Sequence, residues 1–304
     1  MKIIDAHTHV IEHIAGFGQR GELRPIGYGK ARWANGEEIT MIPANLGDRE
    51  FTGETLVNLL DEHKVEKAIL LQGSFYGFQN EYTYEVAKKY PDRFVAACTL
   101  DPFSLQADSL LDRFLHKMKF PIVKFETSSG GGLMGYHKPF AIDGNVFASI
   151  FETIAAGGQT LVLDIGSPGM DSFQPEAVAN VAKKYPMLKV VVCHLLAPTL
   201  NDVRVLEDGL KVLKLENVWL DLAAIPWNVA PEKYPYETGR SYIRLAKKIV
   251  GTGKLIWGSD VPSPLTRDSY IHLVDYITTA DIFSELEMED VFYNNACVAY
   301  PFSK

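Results

Sequence analysis

Residues Lys2–His9 read KIIDAHTH, and how this stretch is parsed decides the rest. Two isoleucines and an alanine around a single aspartate make a short apolar run, the kind found in strands covered on both faces. The run ends abruptly in two histidines one residue apart. Seven further runs of the same character follow it: Lys67–Gln72 (KAILLQ), Phe94–Thr99 (FVAACT), Pro121–Phe125 (PIVKF), Thr160–Ile165 (TLVLDI), Lys189–His194 (KVVVCH), Val218–Ala223 (VWLDLA) and Lys254–Ser259 (KLIWGS). Between them lie segments with helical spacing of apolar residues, such as Glu54–His63, Glu176–Tyr185 and Thr238–Val250. Eight strand–helix units imply parallel strands joined by right-handed crossovers. The fold class expected is α/β, a closed (β/α)8 TIM barrel forming one domain over residues 1–304. It has a long loop after the first strand and an extra C-terminal helix. An open doubly wound sheet is disfavoured, because no GxGxxG or GxxxxGK[ST] follows the first strand.

Composition agrees with a globular chain, with 47% apolar and 22% charged residues. A net charge of −8 argues against nucleic acid or an anionic membrane as partner, since either needs a basic face. Cys98, Cys193 and Cys297 lie far apart without a CxxC pair, which suggests a reducing compartment. The N-terminus shows no signal-peptide apolar region, and no run reaches about 18 apolar residues. The expectation is a soluble, cytoplasmic protein.

Two connections are longer than a barrel needs, and both leave C-terminal strand ends, where barrel enzymes build their sites. Val10–Thr52 carries Arg20, Arg24 and Arg32; Glu126–Asp143 holds the glycine-rich SSGGGLMGYHKP with His137. These basic residues, with Lys124 at the end of the fourth strand, are candidates for binding a substrate carboxylate, so a small anionic organic substrate is expected. Lys124 has a second reading, an ion pair with Glu126. Tyr28, Trp33, Phe75, Tyr76, Phe78 and Trp227 offer flat walls for a ring.

The sharpest chemical signal is His7 and His9. Side chains two apart on a strand share a face, and two converging imidazoles suit zinc or a similar cation. Strands five, six and eight end in Asp164, His194 and Asp260. Any one of these is ordinarily a helix cap, a turn residue or a satisfied core histidine. Asp260 is less easily dismissed, because the Val-Pro-Ser-Pro after it is no helix start.

Together DAHTHV, VCH, WGSD and Asn294-Asn295-Ala296 resemble the amidohydrolase superfamily. The likeness is greatest to its amidohydrolase-2 branch of decarboxylases and lactonases, to which LLDEHKVEKAILL (59–71) and YPDRFVAACTLDP (90–102) are also similar. The resemblance implies that His7, His9 and Asp260 bind one divalent metal, with a strand-five residue completing the site. That residue is Asp164 here, where the branch has histidine. It also implies catalytic roles for His194 and Asp260, and a homodimer. Zinc is the metal expected first; a second carboxylate ligand shifts preference toward manganese or iron, and some lactonases of the branch use no metal. The implied activity is hydrolysis of a small carboxylate-bearing lactone, amide or related compound. The alternatives are non-oxidative decarboxylation of an aromatic or muconate-like acid, a carboxy-lyase reaction, and a non-enzymatic barrel retaining ligand-like residues.

Overall fold

The structure, a computed structural model, describes residues 1–302. The chain opens with β1 (Ile4–Thr8), followed by four short strands, β2 (Gly16–Gly18), β3 (Gly21–Gly27), β4 (Lys30–Trp33) and β5 (Glu38–Thr40). Seven more strands complete the order: β6 (Lys67–Leu70), β7 (Phe94–Cys98), β8 (Ile122–Glu126), β9 (Thr160–Asp164), β10 (Lys189–Val192), β11 (Val218–Asp221) and β12 (Leu255–Ile256). β1 and β6 to β12 pair in parallel, in sequence order, with helices between them. This is the expected (β/α)8 barrel.

The seam between the last strand and the first is closed by three backbone bonds. Ala6 N donates to Trp257 O (3.2 Å), Asp260 N to His7 O (2.8 Å) and His9 N to Val261 O (3.0 Å). Gly258 makes that approach possible, since a Cβ there would lie 2.7 Å from His7 Cβ.

Inside the barrel, Ile4, Ala6, Ile69, Val162, Val191 and Ile256 form a compact apolar plug. The expected C-terminal helix, Asn295–Ala299, seals the end opposite the site: Ala296, Ala299 and Tyr300 pack onto the plug. Two of the helices on the barrel begin with a side-chain cap. Thr52 caps Gly53–Glu62 by accepting from Thr55 N, and Ser269 caps Tyr270–Thr278 by accepting from His272 N. The buried stripe Leu56, Leu59 and Leu60 turns the first of these helices onto the sheet.

The connection after β1 is not the structureless loop its glycines suggest. β2 to β5 form a four-stranded antiparallel sheet beside the barrel mouth. Tyr28 and Gly29, with φ of 57° and 70°, make the two-residue turn between β3 and β4; positive φ at both positions suits the right-handed twist of a hairpin. Among the described residues, no helix is long and apolar enough to cross a membrane.

Candidate active site

A bulge in β1 aims the two histidines. Ile4 and Ala6 face the barrel interior, so strict alternation would send His7 and His9 outward. Between Asp5 and Thr8, however, β1 advances three residues while β6 advances two. The extra residue flips the parity and turns both imidazoles into the mouth. Asp5, directed outward, accepts from His7 N (3.3 Å), Ser259 N (2.8 Å) and Tyr270 Oη (2.7 Å). It ties β1 to the segment that carries Asp260.

His7, His9 and Asp260 each bring a ligand-type atom within 4.8 Å of the others. Asp260 Oδ1 lies 3.1 Å from His9 Nε2 and 3.4 Å from His7 Nε2. Asp221, at the end of β11, places its Oδ2 2.9 Å from His7 Nδ1. With Asp221 ionised, Nδ1 carries the proton and His7 Nε2 presents its lone pair toward Asp260. His7 Nε2 and His9 Nδ1 are buried without a hydrogen-bond partner. Two imidazoles kept neutral by burial, beside a carboxylate, match the donor set of a divalent cation, and the trio fits one ion.

His194 stands beside this trio, its ring stacked on His7 at a centroid distance of 4.7 Å. β10 has already ended, and His194 opens a left-handed turn with φ of 61°. Asp221 Oδ1 accepts from His194 N (2.7 Å) and so fixes the turn. Asp164, expected as a fourth ligand, does not join the trio. Its Oδ2 faces His194 Nε2 at 3.6 Å, and its Oδ1 accepts from Gly166 N at 2.9 Å. Both of its oxygens are engaged before a cation is considered.

These contacts set the charges. Burial alone would lower the pKa of His194, but Asp164, Asp260 and Asp221 outweigh it and push it up to about 10. Burial would likewise raise Asp260, yet the His9 hydrogen bond and the charge on His194 hold it well below the usual carboxylate range. Glu126, beside Asp164 across β8 and β9, is pushed up to about 7 by burial and by that neighbouring carboxylate.

A cavity of about 700 Å³ opens over these groups, walled by Trp33, Phe75, Tyr76 and Trp227. Tyr76 tilts against His9 and shares a 2.6 Å hydrogen bond with Ser263. Of the basic residues singled out in the sequence, Lys124 and Arg20 line this cavity. Lys124 is 2% exposed, and among the described residues no carboxylate oxygen lies within 4.0 Å of its ammonium. The ion pair with Glu126 is therefore not formed. Burial works against its charge, but Cys193, Glu126, Asp164 and Asp260 keep its pKa raised.

Arg24, Arg32 and His137 lie outside the cavity lining. Arg24 and Arg32 are register partners on the outward face of β3 and β4, paired with Glu22 and Glu38. Strand alternation turns Trp33 inward and Arg32 out. His137 is held by Asp101 at 2.8 Å and tilts against Phe103. Asp221, Ser263 and Arg267 are site residues that sequence reasoning passed over. For Asp221 a signal existed, its position two residues after the inward-facing Trp219.

Two histidines on the first strand and an aspartate after the eighth give this (β/α)8 barrel a candidate metal centre at its mouth. The chain belongs to the amidohydrolase family, whose model matches residues 4–302. Members of that family are enzymes, hydrolases or decarboxylases.

Among solved structures, the fold is similar to that of a probable 2-pyrone-4,6-dicarboxylic acid hydrolase from Acinetobacter baumannii with citric acid bound. That match is 17% identical with a TM-score of 0.72, over 99% of this chain and 100% of the other. It is also similar to an amidohydrolase from Burkholderia multivorans with bound zinc, 16% identical, TM-score 0.76, over 100% of both chains. A 5-carboxyvanillate decarboxylase from Sphingomonas paucimobilis aligns over 81% of this chain and 82% of the other, at 15% identity and a TM-score of 0.57. No curated protein matches the chain in sequence.

Proposed function

We propose that the protein is a metal-assisted hydrolase of a small carboxylate-bearing lactone, or of a related amide, worked by Asp260 and His194. The observation that carries this reading is the convergence of His7, His9 and Asp260 within 4.8 Å beneath a substrate-sized cavity. These three residues would hold the ion; zinc suits the donors first, with manganese or iron compatible with the carboxylate. A divalent ion in such a site acts as a Lewis acid on an acyl oxygen and acidifies water. Zinc in the Burkholderia amidohydrolase supports this part of the reading.

The chain's own residues supply the proton chemistry. Asp260, held ionised, accepts a proton from the attacking water as its oxygen adds to the acyl carbon. The ring C–O bond then breaks, and the proton passes to the departing oxygen. His194, paired with Asp164, donates toward the carbonyl oxygen as negative charge gathers there. Lys124, buried and free of a carboxylate partner among the described residues, anchors a substrate carboxylate, with Arg20 at the rim. The citric acid bound to the Acinetobacter protein supports an anionic substrate.

Decarboxylation is the second reading, favoured by one observation: Glu126 lines the cavity with its pKa near 7, so a protonated carboxyl is at hand to return a proton to a ring carbon. The two separate by product. With 2-pyrone-4,6-dicarboxylate as probe, the hydrolase releases acid in a pH-stat without carbon dioxide. Asp260→Asn lowers that rate by about 10²–10⁴-fold while the circular dichroism stays native. Carbon dioxide from an aromatic acid probe would establish the second reading. Turnover of neither class of probe would return the barrel to a non-catalytic role.

A further inference from the structure

Trp227 and Arg267 line the catalytic cavity and also border a second chamber of about 360 Å³. We propose that this chamber is a substrate subsite for an apolar arm, an alkyl chain or a second ring, attached to the acidic head seated over His7, His9 and Asp260. The identity of the head rests on the hydrolase reading; the chamber does not.

Trp227 and Arg267 are the residues common to the two linings. Trp227 belongs to the short helix Ile225–Asn228 that follows β11, and Arg267 follows the turn Ser263–Thr266 beyond β12. The Arg267 guanidinium carbon lies 3.5 Å from the centre of a Trp227 ring. Among the described residues, no carboxylate oxygen lies within 4.0 Å of that guanidinium. The neighbouring Asp268 is turned to His272 instead. A cation resting on an aromatic face at an exposed position is weakly held, so a ligand can displace it. The partition is a movable one.

The chamber behind it is built for apolar contact. Pro226, Ala230, Pro231, Tyr236 and Leu273 line it. Of its acidic groups, Glu232 is occupied by Thr238 N at 3.1 Å. Three prolines, Pro264 included, and a buried tyrosine leave little to reorganise on binding, which favours a preformed subsite. Both walls come from segments after the C-terminal ends of barrel strands, where this architecture places substrate contacts. A small acid alone occupies part of the first cavity and leaves the second to solvent. An amphiphilic acid uses both.

The experiment is a calorimetric titration of the full-length protein with two probe pairs, benzoate against 4-butylbenzoate and phenol against 4-butylphenol. Burying four carbons predicts that the butyl group tightens binding about tenfold or more within each pair. In Ala230→Trp, which fills the chamber from an exposed position, that ratio falls to about one. A ratio near one in the wild type overturns the proposal. So does a tenfold ratio that survives in Ala230→Trp, because the tail then lies elsewhere. If neither acid binds but the phenol pair keeps its ratio and loses it in Ala230→Trp, the acidic head is wrong and the chamber stands.

Discussion

The Asp221 carboxylate is shared between two catalytic candidates. One oxygen takes His7 Nδ1 at 2.9 Å; the other takes His194 N at 2.7 Å and Ala223 N at 3.1 Å. The second set matters because His194, Leu195, Leu196 and Ala197 all have positive φ, from 45° to 67°. Each non-glycine residue in that region costs about 1–2 kcal/mol, so the turn persists only where its surroundings enforce it. Buried Leu195 and Leu196 supply part of that enforcement, and Asp221 the rest. Asp221→Asn removes the charge that selects the His7 tautomer and places an amide donor against donor groups. We expect zinc affinity to fall about 10–100-fold, read by calorimetric titration. An unchanged affinity would show that His7 Nε2 is not a ligand.

At the scale of elements, the seam between β1 and β12 carries the site, and Gly258 is its tightest point. A methyl group there would meet His7 Cβ at 2.7 Å and His7 N at 2.9 Å, so the strands must part. Gly258→Ala is expected to cost about 1–3 kcal/mol in urea denaturation and to weaken zinc binding with it. Full stability with weakened binding would place the strain on the ligands alone. A second joint holds the C-terminal helices to the barrel. Glu287 closes a capping box with Ser284 and accepts from Lys247 Nζ and Thr252 Oγ1, each at 2.8 Å. The Lys247 hydrogen bond, with the Ser284 and Thr252 bonds, lowers its pKa from 4.5 to about 2. A depressed carboxylate stabilises the fold in full above pH 4.5, and that contribution is lost as pH falls through about 2. Glu287→Gln should flatten the fall in stability across that window, measured by denaturation at a series of acid pH values.

The whole molecule is a barrel stoppered at one end and open to substrate at the other. Tyr300 is the stopper, fully buried, with a hydroxyl that has no hydrogen-bond partner. Tyr300→Phe should therefore hold or raise the melting temperature, while Tyr300→Ala should cost about 3–5 kcal/mol by leaving a cavity. A destabilised Tyr300→Phe would reveal a partner for that hydroxyl. The barrel is legible in the sequence because its strands are buried on both faces and read as unbroken apolar runs. His7, His9 and Asp260 are legible because polar groups at such strand ends have few structural reasons to be there. The antiparallel sheet is not, since Gly16, Gly18, Gly21 and Gly27 hide short strands among turn residues. Arg24 and Arg32 mislead for the same cause: without the hairpin register, nothing says that they face outward. Asp164 and Asp221 look alike as strand-end aspartates, and only the three-dimensional partners divide them between His194 and His7. One consequence follows for the life of the chain. His9 and Asp260 stand 251 residues apart in sequence and meet only when the last strand docks on the first. A nascent chain on the ribosome, or a proteolytic fragment that ends before β12, holds half a site. The candidate metal site thus forms only once the segment carrying Asp260 has docked on β1.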